Sequence, residues 1–281
     1  MNEHVIASAR IAAAEPDTRP LTVITPEPDG AHYWRDIWAN RELLAMMIWR
    51  DIVVRYKQTA MGLSWALLRP LTTMLVFTFI FGKLANLPSH GAPYALLVFS
   101  GLLPWLFFSA SFTDASNSVI GNAHIVSKVY FPRLIIPVSA VLVGLVDFVL
   151  ALLVYLVLSV FYRHPPGWEF LALPLFVAQL CLLILGCGLW VSALGVWYRD
   201  FRHLLPVALQ MGAYLSPVGF ASSIVPEKWL LLYSLNPMVG LIEGFRWCLL
   251  GAGQPLRWSA VAISLAITFL LLLPGLRFFR R

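Results

Sequence analysis

The residues of this chain that could take part in chemistry are a few charged side chains inside long apolar runs. Asp147 lies deep in one run, and Arg69 lies near the start of another. Because an ionisable residue at membrane depth is costly, it is a candidate for function. Asp147 fits three roles: a proton or ion relay, a partner for Arg69 on another helix, or a protonated acid. Glu243 and Arg246 have the i,i+3 spacing that favours local pairing.

Catalytic and metal-binding motifs are absent from the sequence. It contains no G-x-x-x-x-G-K-[ST] phosphate loop, since no Gly-rich run precedes Gly82-Lys83. His32 and Asp36 are one residue too close for the His-x4-Asp pattern of lipid acyltransferases. The six histidines show no metal-ligand spacing, and the three cysteines show no paired spacing. We therefore expect neither an enzyme nor a metal or cofactor site in this chain.

Aromatic residues make up 14% of the sequence, and several cluster near the ends of the apolar runs. Many membrane proteins carry such residues as a belt at the membrane–water interface. A second interpretation is that some of them line a passage and stack on sugar rings. The candidates for that role are Trp105, Phe107, Phe108, Trp190 and Trp197.

The composition identifies the environment in which these residues must be positioned. Hydrophobic residues make up 59% and charged residues 12%, and the mean hydropathy is +0.78. A soluble chain has about 25% charged residues, so this one cannot cover a globule of its size with a polar surface. Disorder, collagen and coiled coil are excluded as well, because they require high charge, a strict Gly period or sustained heptads. The composition predicts an all-α integral membrane protein with several spans.

Six segments approach the roughly 20 apolar residues that a span requires. They are Gly62 to Phe81, Tyr94 to Thr113, Leu134 to Phe161, Leu171 to Trp197, Leu204 to Phe220 and Trp258 to Phe278. The fifth is the weakest because it is short and contains two prolines. Between it and the last span, two apolar pieces are too short to cross, and Asn236-Pro237 is a good helix start. We expect two re-entrant helices there, at the outer mouth of a passage.

The six spans form one predicted domain over residues 62–281. Two further segments precede it. Residues 1–40 form a polar tail without an apolar run, expected to be cytoplasmic and partly disordered. The sequence of residues 41–58 predicts a helix too charged to span. It either lies along the inner membrane surface or is an ordinary surface helix. Its apolar positions Leu44, Ile48, Ile52 and Tyr56 repeat every four residues, and Arg55 interrupts the pattern.

The basic residues between the spans predict the orientation. Eleven lie on the side of the termini and five on the other side, so both termini are expected in the cytoplasm. The eleven are Arg41, Arg50, Arg55, Lys57, Lys128, Arg133, Arg199, Arg202, Arg277, Arg280 and Arg281. The five are Lys83, Arg163, Lys228, Arg246 and Arg257.

From residue 41 to the end, the sequence resembles the type-2 ABC permeases that export lipid-linked polysaccharides such as O-antigen, capsule and teichoic acid. The resemblance is carried by WRDIVVRYKQTAMGLSWALLRPLTTMLVFTFIFGKL, PYALLVFSGLLPWLFF and NSVIGNAHIVSKVYFPRLIIPVSAVLVGLVDF, followed by WYRDFRHLLP, SPVGF and NPMVGLIEGFRW. None of these segments is catalytic. Their order and placement together are specific to the family.

The resemblance implies six spans, an N-terminal interface helix and two short periplasmic helices. It also implies a homodimer that binds two copies of a separate ATPase subunit, on which ATP and Mg²⁺ are expected. The residues implied at the ATPase interface are Arg50, Arg55, Lys57, Asn122, Lys128, Tyr130, Arg133, Arg199, Asp200 and Arg202. Those considered for the substrate path are Arg69, Trp105, Phe107, Phe108, Asp147, Trp190, Trp197, Glu243 and Arg246.

The expected function is ATP-driven export of a polyprenyl-linked polysaccharide across the bacterial inner membrane, through a channel at the homodimer interface. Arg69 stands before Pro70, where this family often has Gln, so its cation could meet the pyrophosphate of the lipid carrier or pair with Asp147. One alternative is a type-2 permease for a small molecule or lipid. Two others are a membrane-embedded glycosyl- or acyltransferase and a secondary carrier that uses Asp147.

Overall fold

The structure, a computed structural model, describes residues 30–57, 62–89, 91–128, 130–198, 200–251, 253–254 and 256–280. Residues from Arg35 onward form one compact unit. The described chain is almost entirely helical and contains no strand. In chain order the helices are α1 (Gly30–Ala39), α2 (Arg41–Lys57), α3 (Gly62–Phe77), α4 (Tyr94–Gly121), α5 (Ala123–Val126), α6 (Ile135–Phe161), α7 (Leu173–Trp197), α8 (Phe201–Leu215), α9 (Glu227–Ser234), α10 (Pro237–Leu250) and α11 (Trp258–Arg280).

Five helical segments of the described chain are long and apolar enough to cross a membrane. They are Leu67–Leu84, Tyr94–Gly121, Ile135–Phe161, Trp168–Trp197 and Trp258–Phe279. The first combines α3 with a π-helical turn at Thr78–Leu84, and the fourth combines α7 with a 3-10 turn at Trp168–Ala172. These segments correspond to five of the six predicted spans.

The remaining predicted span, Leu204 to Phe220, contains a helix that stops early. Helix α8 has 15 residues and is therefore about 22 Å long, short of a hydrocarbon core of about 30 Å. Ser216 follows it in an extended conformation, with φ −106° and ψ 149°. Because Ser216 precedes Pro217, the proline ring disfavours helical geometry there. The chain then runs as non-helical backbone to Ala221.

Helix α4 is the centre of the bundle. It packs against α6, α7 and α10, and most of its side chains are buried over its whole length. By contrast, α3, α6 and α8 each carry large apolar side chains that face outward. Such an exterior suits hydrocarbon rather than water.

Helix α2 is docked on the start of α6. Met47, which is 4% exposed, packs with Phe131, Ile135 and Ile136, and Leu43 and Leu44 flank this small core. The helix begins at Arg41, as predicted, and residue 58, where it was predicted to end, lies outside the described residues. Its most buried residue is Met47 rather than a member of the series that begins at Leu44.

The two short helices α9 and α10 form where two short apolar pieces were predicted. Asn236 caps α10 as expected: its side chain accepts a hydrogen bond of 3.0 Å from the backbone nitrogen of Met238. Gly240 faces α11 so closely that a Cβ there would lie 2.3 Å from the carbonyl oxygen of Ala260. A Cβ at Gly244 would lie 2.1 Å from the ring of Phe176. The G-x-x-x-G spacing thus lets α10 approach α7 and α11.

Candidate functional site

A cavity of about 850 Å³ lies between α2, α3, α4, α6 and α8. Most of its wall is apolar, while charged side chains from α2, α4 and α6 meet in one part of the lining and α3 contributes a further charge, that of Arg69. Its lining includes Arg55, Tyr56, Arg69, Leu103, Trp105, Phe107, Asp114, Asp147, Phe148, Leu209 and Gln210. The cavity therefore offers both charged groups and apolar surface to a ligand.

Arg55 connects three helices at the charged part of the cavity. Its Nη2 donates to Oδ2 of Asp114 on α4 at 2.6 Å, and its Nη1 donates to Oδ2 of Asp147 on α6. The hydroxyl of Tyr56 donates to the other oxygen of Asp147. One guanidinium thus bridges two carboxylates, and the end of α2 is tied to both α4 and α6.

The charge states of Arg55 and Tyr56 follow from these contacts. Burial lowers the pKa of Arg55, but the negative charges of Asp114 and Asp147 outweigh it and raise that pKa above its usual value. Burial, together with the hydrogen bond to Asp147, raises the pKa of Tyr56. Arg55 is therefore a permanent cation and Tyr56 a permanent neutral donor.

This arrangement corrects one sequence-based hypothesis, because Asp147 pairs with Arg55 and Tyr56, not with Arg69. Arg55 was also predicted as an ATPase contact. Its guanidinium lines the cavity, and its contact with an ATPase stays a prediction. Arg55 interrupts the apolar pattern of α2 because that face of the helix meets the carboxylates of Asp114 and Asp147.

Three other predicted path residues line the same cavity. Arg69 is exposed, and it joins Trp105 and Phe107 in the wall. Phe108 lies behind the wall, with its ring centroid 5.7 Å from that of Trp105. Gly212 of α8 approaches Trp105 so closely that a Cβ would lie 2.9 Å from the indole.

Two predicted path residues lie away from the cavity. Trp190 stacks on Phe278 with a centroid distance of 5.0 Å, and its indole N–H donates to the carbonyl oxygen of Leu271 at 3.0 Å. Trp197 lies at the end of α7 and is 74% exposed. Trp190 thus joins α7 to α11.

Glu243 and Arg246 belong to a separate buried cluster, and their predicted local pairing is wrong. Glu243 forms an ion pair with Arg257 and accepts a hydrogen bond from Ser222. Arg246 donates to the carbonyl oxygens of Phe220 at 2.8 Å and Val218 at 3.1 Å. Both side chains are 3% exposed. They hold the non-helical segment after α8 rather than line the cavity.

The predicted ATPase-contact residues fall in three places. Arg50 donates to the side chain of Asn122 at 3.0 Å, which joins α2 to the end of α4. Lys128, Tyr130 and Arg133 line a pocket of about 340 Å³. Lys57 and Asp200 are exposed. Arg199 lies outside the described residues, as does the side chain of Arg202.

Sequence reasoning missed Asp114 and the role of Tyr56. The second span was predicted to end at Thr113, so Asp114 lay outside it and was not considered. The helix continues to Gly121, because no glycine or proline interrupts the sequence between them. Extending the helix to that glycine places Asp114 one turn beyond Ala110, on the face that lines the cavity.

These observations define an all-helical, multi-pass membrane protein with a cavity between its helices. The family model described as ABC-2 type transporter matches residues 42–250, and the chain belongs to this family. It is thus a permease component of an ABC transporter, located in the bacterial inner membrane.

The matches with curated relatives extend over most of each relative's length. The O-antigen export system permease protein RfbA of Klebsiella pneumoniae is 27% identical over 85% of this chain and 92% of its own. The protein of the same name from Myxococcus xanthus is 29% identical over 75% of this chain and 82% of its own. The polysialic acid transport protein KpsM of Escherichia coli is 23% identical over 69% of this chain and 76% of its own.

Proposed function

We propose that this chain is the membrane subunit of an ATP-driven exporter that moves a polyprenyl-linked polysaccharide, such as O-antigen or a capsule-like polymer, across the inner membrane. The observation that carries this proposal is its family membership together with the O-antigen export permeases it matches over 75% and 85% of its length. A cavity with charged and aromatic lining fits a cargo that combines phosphate, sugar and lipid.

The working assembly in this proposal is a homodimer with two copies of a separate ATPase subunit, and the polymer passes at the dimer interface. Outward-facing apolar side chains on α3 and α8 offer surfaces for a second copy. The sequence has no phosphate loop, so ATP and Mg²⁺ are assigned to the partner subunit. Helix α2 and the segment Asn122–Arg133 pack together, which supports their action as one ATPase-contacting unit.

The proposed topology has six crossings with both termini in the cytoplasm. Helix α8 and the extended segment up to Ala221 together make the fifth crossing, and α9 and α10 dip into the outer leaflet. The side-chain hydrogen bonds to the carbonyls of Val218, Gly219 and Phe220 support this, since non-helical backbone at membrane depth needs protein partners.

Within the cavity, Arg69 is proposed to contact the pyrophosphate of the lipid carrier. Among the described residues, no carboxylate lies within ion-pair distance of its guanidinium, whereas Arg55 is shared by two. An unneutralised cation suits a phosphate group better than a neutralised one. Trp105 and Phe107 provide flat surfaces in the same wall.

Depletion of this chain in its host, followed by fractionation of lipid-linked glycan, tests the proposal. The expected result is polyprenyl-linked polymer trapped on the cytoplasmic face and loss of surface polysaccharide, both reversed by restoring the chain. Normal surface glycan without a trapped intermediate would refute polysaccharide export. A permease for a small molecule or lipid would then be the reading to pursue, since a cavity of about 850 Å³ is within the range of small-ligand pockets.

A further inference from the structure

A second, smaller hollow adjoins the large cavity. This side groove has a volume of about 390 Å³ and lies between α2, α4 and α6. Its lining is mostly polar on the α4 side, with Asp51 contributed by α2. The residues around it are Asp51, Val54, Arg55, Asp114, Asn117, Ser118, Asn122, Ile136, Ser139, Ala140 and Val143.

Arg55 and Asp114 line both the side groove and the large cavity. Their ion pair, with 2.6 Å between Nη2 and Oδ2, therefore lies on the boundary that the two hollows share. Both side chains are about one-third exposed, at 33% and 39%. The pair is therefore only partly buried.

We propose that the Arg55–Asp114 ion pair is a gate between the side groove and the large cavity. When the pair is closed, its two side chains fill the wall. When it opens, the two hollows become one continuous path. Asp114 is then a gating residue of the permease.

The geometry makes this opening a local event. Arg55 uses different nitrogens for its two carboxylates, so releasing Asp114 leaves the bond from Nη1 to Asp147 in place. Tyr56 remains bonded to Asp147 as well. The side chain of Arg55 therefore stays bonded to Asp147 on α6, and Asp114 stays on the central helix α4. Only the contact between Arg55 and Asp114 is broken.

Helix α2 connects the gate to the segment that follows α4. Arg55 lies two turns after Met47 on α2, and α2 is anchored to the segment after α4 through Met47 and through the Arg50–Asn122 hydrogen bond. A displacement of α2 moves the guanidinium directly. This step rests on the proposed function, in which an ATPase acts on α2, but the gate itself does not depend on what the protein transports.

Thiol labelling of the full chain in membrane vesicles tests the gate without a partner or substrate. In a background with Cys181, Cys187 and Cys248 replaced by Ala, a single reporter is introduced as Ala110→Cys in the large cavity. A membrane-impermeant methanethiosulfonate is applied to each face in turn. When the reagent is applied to the membrane face on which the side groove opens, Asp114→Asn should raise the labelling rate of the Ala110→Cys reporter about fivefold. This is the effect of losing one partly exposed ion pair.

Matched variants separate gating from other effects. A second reporter, Asn117→Cys, lies in the side groove. Its labelling rate should change by less than about twofold when Asp114→Asn is introduced. Asp51→Asn removes a carboxylate from the same groove, but one that pairs with Arg50, so it should leave the Ala110→Cys reporter slow. Arg55→Gln should accelerate labelling as Asp114→Asn does, and Asp114→Glu should keep it slow.

Equal labelling of the Ala110→Cys reporter with and without Asp114→Asn would overturn the gate. So would an equal acceleration at the Asn117→Cys reporter, which would indicate general loosening, or an equal effect of Asp51→Asn, which would indicate electrostatic attraction of the reagent. The glycan experiment stands apart from these outcomes. A functioning gate with normal surface glycan would refute polysaccharide export alone.

Discussion

The guanidinium of Arg246 donates a hydrogen bond of 2.8 Å to the carbonyl oxygen of Phe220, which precedes it by 26 residues. Its other terminal nitrogen donates to Val218, and the hydroxyl of Tyr94 donates to the carbonyl oxygen of Gly219 at 2.8 Å. The backbone after α8 thus receives from side chains the hydrogen bonds that a helix would have supplied internally. Arg246 therefore supplies two of the hydrogen bonds that backbone N–H groups would supply in a helix.

Replacing Arg246 by Met is expected to destabilise the protein by about 3 kcal/mol, because two buried carbonyl oxygens lose their donors. The measurement is unfolding of the detergent-purified chain by denaturant. Lys228→Met, an equivalent change at an exposed position of α9, is the control and should cost little. Equal stability of the two variants would contradict the role assigned to Arg246.

Gly240 and Gly121 provide a matched pair for testing the contact between α10 and α11. Gly240→Ala should cost about 2 kcal/mol, since the new Cβ would meet the backbone carbonyl of Ala260, which cannot rotate away. Gly121→Ala should be neutral or stabilising, because nothing lies within 4 Å of its Cβ position. Thermal unfolding of both variants in one detergent checks this, and a neutral Gly240→Ala would show that the two helices can separate without loss.

Much of the helical framework was predictable, because it depends on local signals. Apolar run lengths located five of the spans, and the Asn236-Pro237 pair located the start of α10. The early end of α8 was only partly visible. Ser216-Pro217 marks a break, but run length alone favoured a helix through it.

The pairing of charges could not be predicted from spacing. Glu243 and Arg246 are close along one helix, yet each has a partner on another segment: Arg257 for Glu243, and two backbone carbonyls for Arg246. Asp147 likewise pairs with Arg55, 92 residues away. These choices depend on how whole helices pack, which a single sequence does not specify.

The contact between Arg55 and Asp147 should appear as a coupling between the two residues. In a double-mutant cycle with Arg55→Gln and Asp147→Asn, we expect a coupling free energy of about 1 kcal/mol, because the pair is partly exposed. The reference cycle combines Asp147→Asn with Arg163→Gln, an exposed residue beyond the end of α6, and should be additive. The free energy of unfolding in mixed micelles measures both, and additivity in the first cycle would contradict the bridge.

Arg69 and Arg55 face the same cavity with different electrostatic surroundings, and this difference leads to the last prediction. Two carboxylates neutralise Arg55, so replacing Arg69 by Gln removes the cation that remains available to an anionic cargo. If Arg69 contacts pyrophosphate, loss of one charge-assisted hydrogen bond should lower surface polysaccharide about tenfold and trap lipid-linked polymer inside. Arg69→Lys should retain part of the export, because it keeps the charge and loses only the bidentate geometry. The chain's abundance in the membrane is the control, and unchanged export by Arg69→Gln at normal abundance would exclude the pyrophosphate role.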